Sequence, residues 1–194
     1  MRYPSDLEAR RDILDAGRRL YARGLVAAND GNLSARVSPT ELWATPANVS
    51  KGDMSEDMLV KLTLGGAVIA GTRAPSSELL LHLAVYRRSP EVLSVVHAHP
   101  PYATARAARG LALDRLLLAE SETLLGVIPL APYAPPGSDA LAEGAAAFCP
   151  AYKGVLLERH GAVTWGGSVT DALFRMERLE HTAHIEYLAG NIGE

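Results

Sequence analysis

The run Val92-Leu93-Ser94-Val95-Val96-His97, closed by Ala98-His99-Pro100, constrains the fold of this chain more than any other stretch. Apolar, largely β-branched residues in an unbroken run belong to a strand covered on both faces, so it asks for a sheet with helices on each side. Pro100 cannot donate to a ladder and ends the strand, leaving the second histidine at the rim. Strand side chains alternate, so His97 and His99 point to one face roughly 7 Å apart along the chain. Two imidazoles so placed can share one ion.

The rest of the chain supplies the covering layers. Asp6 to Arg23 carries Leu7, Ile13, Leu14, Gly17, Leu20 and Tyr21 on one side and arginines on the other, which predicts an amphipathic helix capped by Ser5 and ended by Gly24. Asn29-Asp30-Gly31-Asn32 reads as a polar turn into a strand over Leu33 to Val37, with short strands after it. Gly65-Gly66, between two apolar runs from Met58 to Ala70, predicts a hairpin with both glycines free to take positive φ. Ser76 or Ser77 is expected to cap a helix to about Arg88, with Glu78 in its first turn. Further helices are expected over Ala103 to Arg109, Asp139 to Phe148 and Ser168 to Leu188, and strands near Val127 to Ala131 and within Gly154 to Trp165. The last helix shows a core stripe of Val169, Ala172, Leu173, Met176, Leu179 and Ala183. The stretch at 131–138 is read as an ordered Pro-rich loop, and residues 1–194 as a single domain, a normal size for one core.

A third imidazole completes the pattern. His160 follows the apolar strand at Gly154 to Leu157 and precedes Gly161, whose missing side chain lets backbone or substrate come close. Three neutral imidazoles with one open position keep a zinc ion catalytic rather than structural. Ser76-Ser77-Glu78 stands at a helix start, where free N–H groups attract anions, and Glu78 can serve either as a metal ligand or as general acid and base. His82, one turn later, can orient Glu78, although a histidine merely packed in place fits equally well. His181 and His184 lie near Glu177 and Glu180, where a solvated helical network is the usual reading.

Composition excludes several classes. A formal charge of -3 with 21% charged residues supplies no basic field for nucleic acid or anionic membrane. No window approaches the ~20 apolar residues of a membrane span, and the N-terminus lacks a signal-peptide core. Cys149 is the only cysteine, which fits a reducing compartment, the cytoplasm.

Gly31-Asn32-Leu33-Ser34, Thr45-Pro46, Pro75-Ser76-Ser77-Glu78, His97-Ala98-His99-Pro100, Pro136-Gly137-Ser138 and Arg159-His160-Gly161 together resemble the class II aldolase and adducin family over almost the whole chain. The resemblance implies an α/β fold, a three-layer α/β/α sandwich around a largely antiparallel or mixed sheet. It implies one divalent ion per subunit on His97, His99 and His160 with Glu78 beside it, zinc first and manganese or cobalt as alternatives. It also implies a homotetramer with the site near a subunit interface. The implied reaction is a lyase step that cleaves or forms a C–C bond next to a hydroxy-ketone through an enediolate, which Glu78 protonates, on a small sugar phosphate or sugar acid.

The family's phosphate site corresponds to Asn32, Ser76, Ser77 and a Thr-Gly or Ser-Gly pair, at which this chain carries Ala47-Asn48. Losing a hydroxyl and a close-approach glycine removes about 2 to 4 kcal/mol of charge-assisted hydrogen bonding unless it is replaced, so the substrate anion is a carboxylate or a phosphate differently held. Leu116-Leu117-Leu118 stands where the fuculose-phosphate enzyme supplies a tyrosine, and with Glu194 soon after the final helix the family's C-terminal arm is expected to be missing. Decarboxylase or dehydratase chemistry at the same ion is the nearest rival to aldol cleavage. A 4-epimerase is disfavoured by Glu rather than Asp at position 78, and an adducin-like scaffold by the complete triad.

Overall fold

The computed structural model describes residues 2–190; the expectation about a C-terminal arm lies outside the described residues. Eight strands form one mixed sheet: β1 (Asn32–Arg36), β2 (Glu41–Ala44), β3 (Val60–Thr63), β4 (Val68–Ala70), β5 (Ser94–Ala98), β6 (Leu130–Ala131), β7 (Gly154–Leu157) and β8 (Gly161–Gly166). Their order is β4-β3-β2-β1-β5-β8-β7-β6, and every pairing is antiparallel except β6 with β7. The β-branched run thus lies in the middle, with β1 on one side and β8 on the other.

Helices α1 (Asp6–Ala22), α3 (Pro101–Ala108) and α5 (Val169–Gly190) cover one face; α2 (Leu79–Arg88) and α4 (Asp139–Ala146) cover the other. Strand alternation divides the core accordingly. Leu33, Val96 and Leu156 join Ile13, Leu20, Met176 and Leu179 on the first face, while Val95, Val155 and Val163 join Leu81, Val85 and Leu141 on the second. The expected stripe of α5 is the buried one.

Local chemistry explains the ends of the elements. Ser5 and Glu8 form a reciprocal capping box at the start of α1. The hairpin at 65–66 forms as expected, but only Gly66 takes positive φ, +88°. Helix α2 begins at Leu79, later than the serines suggest, with Glu78 at the N-cap position and outside the first turn. Ser76 is held back because its N–H bonds Thr45 O and Pro75 bridges Pro46, which ties the segment to the end of β2. Between Val127 and Ala131 only Leu130–Ala131 joins the sheet. Among the described residues no helix is long and apolar enough to cross a membrane.

Ile13 is fully buried where α1 meets the sheet. Truncation to alanine removes its contacts and leaves a cavity, so Ile13→Ala is expected to lower unfolding stability by roughly 2 to 5 kcal/mol, measured by urea denaturation.

Candidate metal centre and anion cavity

Three backbone devices bring the imidazoles together. His97 lies on β5 opposite Asn32 on β1 and Val163 on β8. His99 is just past the strand end, anchored by its N–H on Leu25 O at 3.0 Å. His160 sits in the tight connection from β7 to β8, where Arg159 takes φ +58°, a conformation that costs a side-chain-bearing residue energy. Gly161 makes this turn possible against β5: a Cβ there would lie 2.5 Å from Ala98 O and 2.6 Å from the His99 ring.

The ring nitrogens converge. His97 Nε2 is 3.2 Å from His99 Nε2 and 3.1 Å from Glu78 Oε2, and His160 Nε2 is 3.0 Å from Glu78 Oε1. Four donors at about 2.0–2.1 Å from one tetrahedral ion lie roughly 3.3 Å from each other; these three spacings match that, and the ligand atoms of the three imidazoles lie within 4.8 Å of one another. The outer nitrogens agree. His97 Nδ1–H donates to Ala162 O at 3.0 Å, and His99 Nδ1 faces Asp30 Oδ2 at 3.4 Å, which turns both Nε2 atoms inward. The Nδ1 atom of His160 is buried without a hydrogen-bond partner among the described residues. The three histidines can therefore hold an ion, with Glu78 as a fourth neighbour.

Burial works to raise the Glu78 carboxyl, but hydrogen bonds and charge from His160 and His97 outweigh it and hold the group well below the usual carboxylate range. Burial, reinforced by His97 and His160, lowers His99 to about 4.

Beside the ion site lies a polar cavity of about 150 Å³. Its walls bring together the five positions read as substrate-binding, Asn32, Ala47, Asn48, Ser76 and Ser77, along with Glu78 and His99. Asn48 takes φ +57°, so asparagine occupies a left-handed position that suits glycine best. Asn32 Nδ2 donates to Glu78 Oε2 at 3.1 Å, joining the anion side to the metal side.

Lys51 also lines this cavity, and no motif of the sequence points to it. It is 1% exposed, and its Nζ donates to Asn29 O at 2.9 Å and Val49 O at 2.5 Å. Burial lowers its ammonium to about 8, partly offset by Asp30. His181 and His184 lie apart, in a cleft with Glu177 and Glu180. There Glu177 pairs with Arg19, Glu180 accepts the first N–H groups of α3, and His184 stacks on Tyr102 at 3.9 Å. Tyr133 stands outside the cavity beneath Arg159.

Residues 11–187 match the family described as Class II Aldolase and Adducin N-terminal domain. The chain belongs to the class II aldolase and adducin family. Among its relatives, a 3-oxo-tetronate 4-phosphate decarboxylase of Pectobacterium atrosepticum is 33% identical over 191 residues, covering 96% of this chain and 87% of the relative. An L-fuculose phosphate aldolase of Methanococcus maripaludis strain C5 is 33% identical over 175 residues, covering 90% and 93%. A solved L-fuculose 1-phosphate aldolase superposes with a TM-score of 0.89 at 28% identity, covering 99% of this chain and 90% of that one. The three-layer class II aldolase fold expected from the motifs is the fold observed. The class II aldolases of this family are metal-dependent, and the cluster of His97, His99 and His160 could hold a metal ion.

Purified chain reconstituted with zinc is expected to bind about one ion, read by elemental analysis, and His97→Ala to lose it. The metal-free protein should also be acid-sensitive. The unfolded chain protonates imidazole near 6.5, whereas folded His99 and the buried His82 resist until about 4 and about 3. Stability is therefore full above about pH 6.5 and falls as pH drops through that window, which thermal melts between pH 7 and pH 4 should record.

Proposed function

We propose that this chain is a divalent-metal-dependent carbon–carbon lyase, acting as one domain on a small phosphorylated 3-oxo sugar acid and releasing carbon dioxide. The observation that carries the reading is the meeting of three imidazole Nε2 atoms and the Glu78 carboxylate beside a polar cavity lined by Asn32, Ser76 and Ser77. When bound on His97, His99 and His160, a zinc or similar ion supplies Lewis acidity to the oxygens around the bond that breaks.

The chain's own groups account for the remaining requirements. The Asn32 amide and the Ser76 and Ser77 hydroxyls supply donors for the substrate's phosphate, and Lys51 places a positive charge in the same wall. Glu78, held ionised, takes the proton of the hydroxyl next to the carbonyl. The bond to the carboxylate then breaks, its electron pair moves toward the carbonyl, and carbon dioxide leaves. Glu78 returns its proton to the vacated carbon, and one solvent proton restores the hydroxyl.

Aldol cleavage, read first from the motifs, is the second reading, and the fuculose-phosphate relatives favour it. Decarboxylation is preferred for a chemical reason as well as for the decarboxylase relatives. A departing aldehyde must lose a hydroxyl proton to a further base, whereas a departing carboxylate carries none. Among the described residues, the cavity walls offer no tyrosine for that task. We further assign the active form to a homotetramer in the cytoplasm, on the family resemblance and the lone buried Cys149.

The zinc- or manganese-loaded protein is expected to convert a 3-oxo-tetronate 4-phosphate to carbon dioxide and dihydroxyacetone phosphate, followed by enzymatic assay of each product. Aldehyde release from a ketose phosphate with no carbon dioxide would instead support the aldolase. Glu78→Gln should retain most of the metal and lose about 10²- to 10⁴-fold in kcat.

A further inference from the structure

A chain of buried polar groups behind the cavity connects α2 to β1 and ends on Glu78. His82 is fully buried, and both of its ring nitrogens are used: Nε2 lies 2.6 Å from Asn32 Oδ1 and Nδ1 lies 2.7 Å from Ser34 Oγ. Ser34 Oγ is in turn 2.7 Å from the hydroxyl of buried Tyr86. His82 therefore does not orient Glu78 directly, as its spacing in sequence suggests, but acts through Asn32.

The position of every proton in this chain follows from its cavity end. Asn32 Nδ2 lies 3.1 Å from Glu78 Oε2 while its Oδ1 faces His82 Nε2, so the amide turns its NH2 toward the carboxylate and its oxygen toward the ring. An amide oxygen requires a donor, so His82 carries its proton on Nε2. Its bare Nδ1 then accepts from the Ser34 hydroxyl, whose oxygen accepts from Tyr86 O–H. Burial lowers His82 to about 3, so the neutral ring that this order demands is the form present at neutral pH.

We propose that Tyr86, Ser34 and His82 form a proton-ordered hydrogen-bond chain that locks the Asn32 amide with its NH2 toward Glu78 and the cavity, making His82 a positioning residue for the reaction. A free asparagine amide could present either its oxygen or its NH2. Presenting oxygen would set a dipole against Glu78 and against any substrate anion, so the lock selects the productive one of two nearly isosteric states. The proposal rests on the reading that Asn32 and Glu78 meet the substrate, but not on which bond breaks there.

The first test is nitrogen NMR of histidine-labelled, metal-free protein, which is independent of turnover. His82 should show a protonated Nε2 and an unprotonated Nδ1 from pH 7 to pH 5, with slow exchange of the Nε2 proton; an Nδ1–H ring would overturn the proposal. The second test compares variants of the zinc-loaded protein on its best substrate. His82→Leu should lose about 10- to 100-fold in kcat/KM while zinc content stays near one per chain. His82→Gln, whose amide NH2 can still donate to Asn32, should recover most of that loss. If Leu and Gln fall together and in proportion to melting temperature, His82 is only a core filler and the proposal fails. Should His82→Leu not fold, Tyr86→Phe, which removes only the terminal hydroxyl, should lose a few-fold in kcat/KM, and no loss would count against the lock. If no substrate is turned over, the lyase reading has failed, and the tautomer measurement still decides this one.

Discussion

The structure depends on how closely β8 can approach the end of β5. Gly161 begins β8 with the backbone oxygen of Ala98 and the rings of His97 and His99 where a Cβ would otherwise be. That approach completes the ladder from His97–Val163 to Ala98–Ala162, and it swings His160 over the other two imidazoles. The same pairing delivers Ala162 O to His97 Nδ1 and so fixes which nitrogen of that ring faces the metal position. Sheet closure and ligand geometry are one event at this point, and the strained φ of Arg159 is accepted in the same turn.

A buried strand that carries a histidine would ordinarily be a liability, because a charged ring in the core is costly and a neutral one needs both nitrogens satisfied. The fold meets this by placing the polar residues of β1 on the face that His97 shares. Asn32 faces His97, and Ser34 faces Val95 while its hydroxyl serves His82 and Tyr86. Alternation along β1 sends Leu33 and Ala35 into the opposite core, so the polar positions can be used for the site without weakening the layer packed by α1 and α5.

Much of this was legible in sequence because it is periodic or local. The β-branched run located the central strand, the α5 stripe located the covering helix, and the His-x-His pair with its proline located the rim. What was not legible depends on distant pairing. Glu78 lies at the N-cap because Thr45 and Pro46 hold back the serine segment, a tertiary constraint that outweighs capping preference. Lys51 looks like an exposed turn lysine until α1 packs over it: Gly17 is so close that a Cβ there would lie 2.9 Å from Lys51 O. The role of His82 also depends on β1, about fifty residues earlier in the chain, and i,i+4 spacing pointed to the wrong neighbour.

Placing Glu78 outside the helix changes what it can do. In a first turn, the carboxylate would be drawn toward the free N–H groups of α2 and the dipole would stabilise it there. At the N-cap it makes no such bond, and its oxygens instead face His97, His160 and Asn32. Its ionisation is therefore set largely by burial and by its hydrogen bonds and charge contacts with His160 and His97, groups that a metal ion would engage. A carboxylate whose partners change when ligand arrives can change proton affinity during a reaction cycle, whereas one fixed as a helix cap cannot. Ser76, which with Pro75 ties this segment to the end of β2, thus serves the chemistry twice, by lining the anion cavity and by keeping Glu78 out of the first turn.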